Sequence, residues 1–430
     1  MTRKKKSRIA ERESTRSARA DSAKGEPTPT EARRSKPEPA PTTWRARLFG
    51  ALDADEWLMI VGIWLGSRLV LLLLASILAG LIPNQQPMGV LDRFTRWDGG
   101  WYRSIAEHGY ELRGPDQQSN LAFFPLYPIL GRVASILFLG NSQSGLLLIS
   151  NLAFLVALIY VYRLGRLEFD AESGRRALIY MALFPFAVFF AALYSESLFV
   201  ALAAAAFFYA RQRNWPAALG LGALLPVTRV MGLAIIPALL WEWWEERRQH
   251  GDRSLAALFD RRALALGVLV VPLALFMLFL WWRFGDPLAF STLVQKNWDR
   301  RTTLPWGTIA LGLDVLARLP DSRYVKAIAW LDMGTIGLVL AMLPLVWRRL
   351  GVSYTLFVVT VFFLATFTSL DPAKGLPTAS IGRYLMTAFP VFLVLGDLGR
   401  RRWLHYPVLT LFAALFGPVA IYYFATIWVG

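Results

Sequence analysis

The sequence predicts an all-α, multi-pass membrane protein. Of its 430 residues 55% are hydrophobic and only 18% charged, the mean hydropathy is +0.42, and apolar runs of about 20 residues, enough to cross a bilayer, recur after residue 57. Such runs must be helical, because in hydrocarbon only helices and closed barrels satisfy the backbone, and the alternation of barrel strands is missing.

Residues 1 to 47 hold 14 basic and 6 acidic residues, about half of the net charge of +16, in a Pro- and Thr-rich context with almost no large apolar side chains. That composition predicts a disordered tail, unable to offset the entropy of ordering. No apolar signal core precedes Trp57, so the tail is expected to be retained and, by the positive-inside rule, cytoplasmic, where it can touch anionic lipid heads. With the basic excess placed there, no nucleic-acid partner is implied.

The predicted spans lie near 57 to 82, 145 to 163, 177 to 193, 195 to 210, 264 to 283, 327 to 347, 352 to 369, 381 to 398 and 408 to 428. Residues 122 to 139 are almost long enough to cross, but Pro125, Pro128 and Arg132 interrupt them. A crossing there would move the basic loops 165 to 176 and 211 to 214 away from the side of the tail, so the segment is placed on the outer surface. The stretch from Trp215 to Trp244 carries Pro226 and Arg229 near its middle. Two half-helices meeting at 226 to 229 return the chain to the cytoplasm and put Arg229 at an outward-facing break. About eleven crossings result, with the N-terminus inside, the C-terminus outside, and two long outer loops, 83 to 144 and 284 to 326. Long loops on a rigid scaffold usually carry function.

The first outer loop contains DRFTRWDGGWYRSIAEHGY, where Phe94, Trp97, Trp101, Ile105 and His108 follow at intervals of 3, 4, 4 and 3. One helical stripe is predicted, lying flat on the outer leaflet with the two tryptophans as anchors. Asp98 and Tyr102 share its edge, where a carboxylate can meet a lipid head group. The other intramembrane charges fall on the same side: Glu196 and Arg383 begin inward-running spans, Arg229 sits at the break, and Asp332 is slightly deeper. An arginine within a span costs about 2.5 to 3.5 kcal/mol, so these two need an anion. Glu196 is one candidate; a phosphate, matched by guanidinium geometry, is the other.

A carboxylate beside a phosphate site suits group transfer from a lipid phosphate. With arginines dispersing the charge of the leaving phosphate, one base suffices, and Asp98 is the candidate to accept the proton of an attacking hydroxyl. Cysteine is absent and the three histidines, His108, His250 and His405, form no helical pair, so no metal or other cofactor is expected. No phosphate-binding glycine motif of a soluble nucleotide donor is found either.

The segments RWDGGWYRSIAEHGY (96 to 110), AFFPLYP (122 to 128), ALYSESLF (192 to 199), GDPLAF (285 to 290) and GRYLMTAFP (382 to 390) resemble the motifs of PIG-V-like mannosyltransferases. The resemblance implies a GT-C helical bundle over residues 48 to 430, with a catalytic acid and membrane-surface helices in the first outer loop. It also implies a polyprenyl-phosphate mannose donor, inversion at the anomeric carbon and no metal. The family's WD aspartate matches Asp98, and Arg229 and Arg383 fall where related enzymes bind the donor phosphate.

Sugar or acceptor contacts are assigned to Glu196, Tyr102, His108 and Tyr110, and to Gln295, Asn297 and Trp298 of the second outer loop; interfacial packing explains the aromatic residues equally well. Asp371 and Lys374 form either a lid or simple helix caps. Arg68, in mid-span, needs a polar partner that the sequence does not name. The expected acceptor is a glycolipid or glycan, and the expected location a bacterial plasma membrane with the active site extracytoplasmic. The competing readings are a transporter or flippase of lipid-linked sugars, and a polymerase or ligase of surface polysaccharide.

Overall fold

The computed structural model describes residues 52–81, 89–114, 117–249, 263–318, 323–372 and 375–427. The basic tail and Lys374 lie outside the described residues. From Asp53 onward the chain forms one compact unit. Its elements are, in order, α1 Ala54–Leu81, α2 Asp98–His108, α3 Leu126–Ser135, α4 Ser142–Glu168, α5 Ala171–Ala182, α6 Glu196–Arg211, α7 Trp215–Leu224, α8 Ile235–Gln249, α9 Val271–Phe284, α10 Ala289–Asn297, β1 Arg300–Thr302, α11 Pro305–Arg318, α12 Arg323–Leu350, α13 Val352–Thr366, β2 Thr368–Leu370, α14 Ile381–Leu385, α15 Pro390–Leu398 and α16 Arg402–Phe424.

Local chemistry sets the helix starts. Asp53 and Glu56 form a reciprocal capping box, Glu56 N donating to Asp53 Oδ1 at 2.8 Å and Asp53 N to Glu56 Oε2 at 3.1 Å. Asn141, Asp170 and Asn214 cap α4, α5 and α7 through side-chain oxygens. Among the described residues, five helices are long and apolar enough to cross a membrane: Ala54–Gly80, Ser142–Glu168, Ala265–Phe284, Val325–Leu350 and Arg402–Phe424. Leu126–Phe138, Trp215–Val227 and Val352–Thr366 are shorter apolar helices.

Two expected spans are interrupted instead of continuous. Around Pro185 the helix stops at Ala182 and gives way to a buried 3-10 turn, Ala187–Phe190, since proline removes an amide donor and clashes with the preceding turn. Pro390 likewise separates α14 from α15. The all-α expectation needs one correction: β1 and β2 pair antiparallel, with Arg300 opposite Leu370, Arg301 opposite Ser369 and Thr302 opposite Thr368.

The core centres on α6, of which almost every residue is buried. Its run Ala203–Ala206 lets neighbouring backbones approach closely, while Phe207 stacks on Tyr354 at 4.6 Å between ring centres and meets Phe357 and Phe389 edge-on. Contact between α3 and α4 depends on glycine, because a Cβ on Gly145 would sit 2.2 Å from the carbonyl oxygen of Gly131. At the C-terminal end of α6, Arg211 binds Glu168 at 2.7 Å and Glu242 at 2.9 Å, and Tyr354 donates to Glu168 at 3.0 Å. This knot joins the C-terminal ends of α4 and α6 to the middle of α8 and the start of α13. Glu196 opens the same helix about 22 Å away, so one helix separates two ionic layers.

Candidate active site

Asp98 is held from three sides. Before it, the carbonyl of Phe94 accepts from Leu193 N at 3.1 Å and Tyr423 Oη at 3.2 Å, and that of Arg96 accepts from Tyr194 Oη at 3.1 Å. Arg93, buried, donates to the Phe424 carbonyl at 2.9 Å and anchors the segment to α16. Trp97 then adopts φ of +54°, which a non-glycine side chain rarely does. Helix α2 starts at Asp98 itself, placing the carboxylate in the first turn, where the helix dipole favours it. Gly99 follows because a Cβ there would lie 3.2 Å from Leu193 Cβ.

The kink at Trp97 also breaks the predicted stripe. Gly99, Tyr102, Ile105 and Ala106 form the buried face of α2. His108 is exposed and lines an open cleft of about 410 Å³ with Arg103, Glu107, Glu111 and Arg113, so it lies on the polar side of the helix and does not continue the apolar one.

The two arginines come from breaks in helices. Arg229 is extended (φ −163°, ψ 153°) between 3-10 turns Leu225–Val227 and Val230–Ala234. Arg383 lies in α14, whose start is fixed by Ser380 at φ +76° and by Gly382 N donating to Asp332 Oδ1 at 2.8 Å. A Cβ on Gly382 would meet Phe186 at 2.2 Å. Asp332, fully buried, thereby orients the turn that carries Arg383.

These residues converge. Arg383 Nη1 lies 2.8 Å from Asp98 Oδ2 and 3.3 Å from Glu196 Oε1, and Glu196 also pairs with Arg229. Tyr384 borders both cations: Arg229 and Arg383 lie 5.0 and 4.9 Å from its ring centre, and Phe189 and Tyr194 also face Arg383, at 5.3 and 5.0 Å. Arg383 is 2% exposed and Glu196 0%, whereas the Asp98 side chain keeps 21% exposure. Asp98 is therefore the member of the cluster most open to an incoming molecule. The two arginines have carboxylate counter-ions within the protein, the first of the two alternatives posed by the sequence.

The remaining residues singled out from sequence take other places. Tyr102 bonds Ser195 Oγ at 3.0 Å, beside Glu196, and Tyr110 donates to the Phe123 carbonyl at 2.7 Å; burial pushes both phenols well above their ordinary pKa, so they stay protonated. Asn297 donates to the Gln117 carbonyl at 2.6 Å, and Trp298 packs against Trp101 at 5.9 Å and Phe123 at 6.1 Å. The stretch carrying Asn297 and Trp298 is thus docked on residues 101 to 123, and Gln295 is exposed. Asp371 pairs with Arg301 at 2.5 Å. Arg68 has neutral partners, Asn151 Oδ1 and the Phe190 carbonyl, each at 2.9 Å. Sequence reasoning passed over Tyr384 and Tyr194, although each adjoins a motif charge. Among the described residues, no group of three or more His, Asp or Glu is arranged to hold a metal ion.

The apolar helices of membrane length and the buried acid–arginine cluster define a multi-pass helical membrane protein. The crystal structure of ArnT from Cupriavidus metallidurans bound to undecaprenyl phosphate aligns with TM-score 0.50 and 12% identity, covering 88% of this chain and 77% of that one. The apo oligosaccharyltransferase of Archaeoglobus fulgidus aligns at 0.44 and 16%, over 88% and 57%. No curated protein matches. The family model described as Mannosyltransferase (PIG-V) matches residues 72–240. This region contains Asp98, Glu196 and Arg229, and the match supports a glycosyltransferase.

Proposed function

We propose that the protein transfers mannose from a polyprenyl-phosphate carrier to a hydroxyl of a lipid-linked or glycan acceptor, with inversion, on the extracytoplasmic face of a bacterial plasma membrane. The observation that carries this reading is Arg383 touching both Asp98 and Glu196, with Arg229 sharing Glu196 Oε1. A carrier phosphate that draws the guanidinium groups of Arg383 and Arg229 toward itself releases the Asp98 carboxylate, already partly exposed, to receive a proton.

The acceptor oxygen then attacks the anomeric carbon opposite the phosphate. The C1–O bond breaks with its electron pair on the phosphate, and the hydroxyl proton passes to Asp98. Guanidinium groups already drawn onto the phosphate stabilise the charge that develops on it. About eleven crossings, with the N-terminus in the cytoplasm and the C-terminus outside, place this cluster at the outer side. The undecaprenyl phosphate held by the similarly folded ArnT supports a prenyl phosphate as carrier.

The test is transfer in detergent, where transport has no meaning, from labelled polyprenyl-phosphate mannose to candidate glycolipids. Wild-type protein is expected to form a new mannolipid, and Asp98→Asn to stay folded and lose turnover. Near-wild-type turnover of Asp98→Asn would remove this residue from the mechanism. Absence of product with wild type would favour the transport reading.

A further inference from the structure

Helix α12 ends at Leu350 and α16 begins at Arg402, both of membrane length, and one carboxylate ties these two ends together. Asp397, near the end of α15, pairs with Arg349 through Oδ2 and with Arg400 through Oδ1 at 2.9 Å. Arg400 also pairs with Asp170, the cap of α5, and Arg176 of α5 donates to the Gly396 carbonyl at 2.8 Å. Arg349 and Arg400 are thus engaged in holding this edge of the molecule together. Their neighbours Arg348, Arg401 and Arg402 are not. All three are exposed, and among the described residues no carboxylate lies within 4.0 Å of any of them.

Two tryptophans adjoin these cations in the chain, Trp347 beside Arg348 and Trp403 beside Arg402, and they are 61% and 69% exposed. An indole turned outward at the end of a span settles where hydrocarbon meets head groups, because its body is apolar and its N–H is polar. The arginines next to them reach the same level with apolar stems and charged tips. Water can solvate an exposed guanidinium, but at that depth the phosphates of anionic lipids compete for it, with a gain of about fivefold in binding for each cation near the surface. A zwitterionic head group cancels its phosphate with an amine, and a free anion brings no acyl chain to lie against the indoles. The chain's own tail, with 14 basic and 6 acidic residues, has the wrong sign to cover this edge. Arg348 lies about 24 Å along α12 from Asp332, so the surface is separate from the acid–arginine cluster and independent of the reaction proposed there.

We infer that the edge formed by the end of α12 and the start of α16 binds anionic phospholipid, its phosphate held by Arg348, Arg401 and Arg402 and its acyl chains lying against Trp347 and Trp403.

The test is native mass spectrometry of the full chain, purified in a neutral detergent, with phosphatidylglycerol, phosphatidylcholine or inorganic phosphate added. Wild type is expected to bind phosphatidylglycerol more tightly than phosphatidylcholine. Arg348→Gln, Arg401→Gln and Arg402→Gln are each expected to weaken phosphatidylglycerol about fivefold, and lysine at the same positions to preserve it. Melting temperature without lipid should stay at the wild-type value, since none of the three side chains has an ion-pair partner to lose; should the triple glutamine variant fail to fold, the single variants carry the same comparison. Equal affinity of wild type for the two lipids would overturn the inference, and so would a preference for phosphatidylglycerol that survives all three glutamines. Displacement of phosphatidylglycerol by inorganic phosphate at comparable concentration would overturn it too, by making the edge a site for a soluble anion.

Discussion

Glu196→Gln probes the centre of the cluster. The substitution keeps the shape of the side chain but removes the negative charge between Arg229 and Arg383, both buried. Breaking a buried ion pair by removing one partner costs about 3 to 5 kcal/mol, mainly because a charge is left uncompensated. Here Asp98 still pairs with Arg383 at 2.8 Å and the glutamine carbonyl still accepts a hydrogen bond, so the lower end, about 3 kcal/mol, is expected. Thermal unfolding in detergent reads it as a melting point several degrees below wild type. Adding Arg229→Met to the same chain removes the orphaned cation and is expected to recover much of the loss. A Glu196→Gln protein that melts with wild type would refute the reasoning, since it would mean that water or another group already neutralises the arginines.

Arg68 is buried against the Phe154 ring at 4.1 Å with neutral hydrogen-bond partners, so Arg68→Met is expected to change stability by less than about 1.5 kcal/mol. Asn151→Ala, which leaves the guanidinium Nε without its acceptor, should cost about 1 to 3 kcal/mol, and the reverse order in thermal unfolding would show that the charge itself is needed. Burial by itself raises the Asp170 carboxyl, but hydrogen bonds from the Ser173 amide and hydroxyl and the charge of Arg400 outweigh it, and its pKa is lowered. A lowered folded-state pKa contributes stability above the ordinary value of about 3.9, lost as pH falls through the lowered one. The stability gap between wild type and Asp170→Ala, about 1 kcal/mol at neutral pH from the lost cap, should therefore close as urea titrations move below about pH 4.

The helical class was legible because apolar runs of membrane length admit no other backbone solution. Glu196, Arg229 and Arg383 stood out for a related reason, namely that charge at the end or middle of such a run is costly, and Asp98 because it edges an amphipathic stripe and matches a family motif. Their pairing was not legible. Nothing local in GRYL says that Arg383 meets Asp98, since that contact depends on how α14 turns under Asp332. Prolines were read as breaks in the right kind of place at Pro226, but Pro185 and Pro390 were absorbed into spans because hydropathy averages over a single residue. The stripe lost Phe94 and Trp97 at one torsion angle, the positive φ of Trp97, which no periodicity can reveal. The β1–β2 ribbon escaped notice because a three-residue strand has too short a pattern to read.

The β1–β2 ribbon closes a loop of 66 residues, counted from Thr303 to Ser369. Bringing the ends of a flexible chain of that length together costs about 4 kcal/mol, more than a few hydrogen bonds of about 1 kcal/mol each can sustain. The clasp thus borrows its closure from the packing of α11 to α13, and its opening need not disturb those helices. Such a fastening can loosen while the hydrophobic body stays shut, so amide exchange is expected to be faster in the ribbon than in the helices it joins.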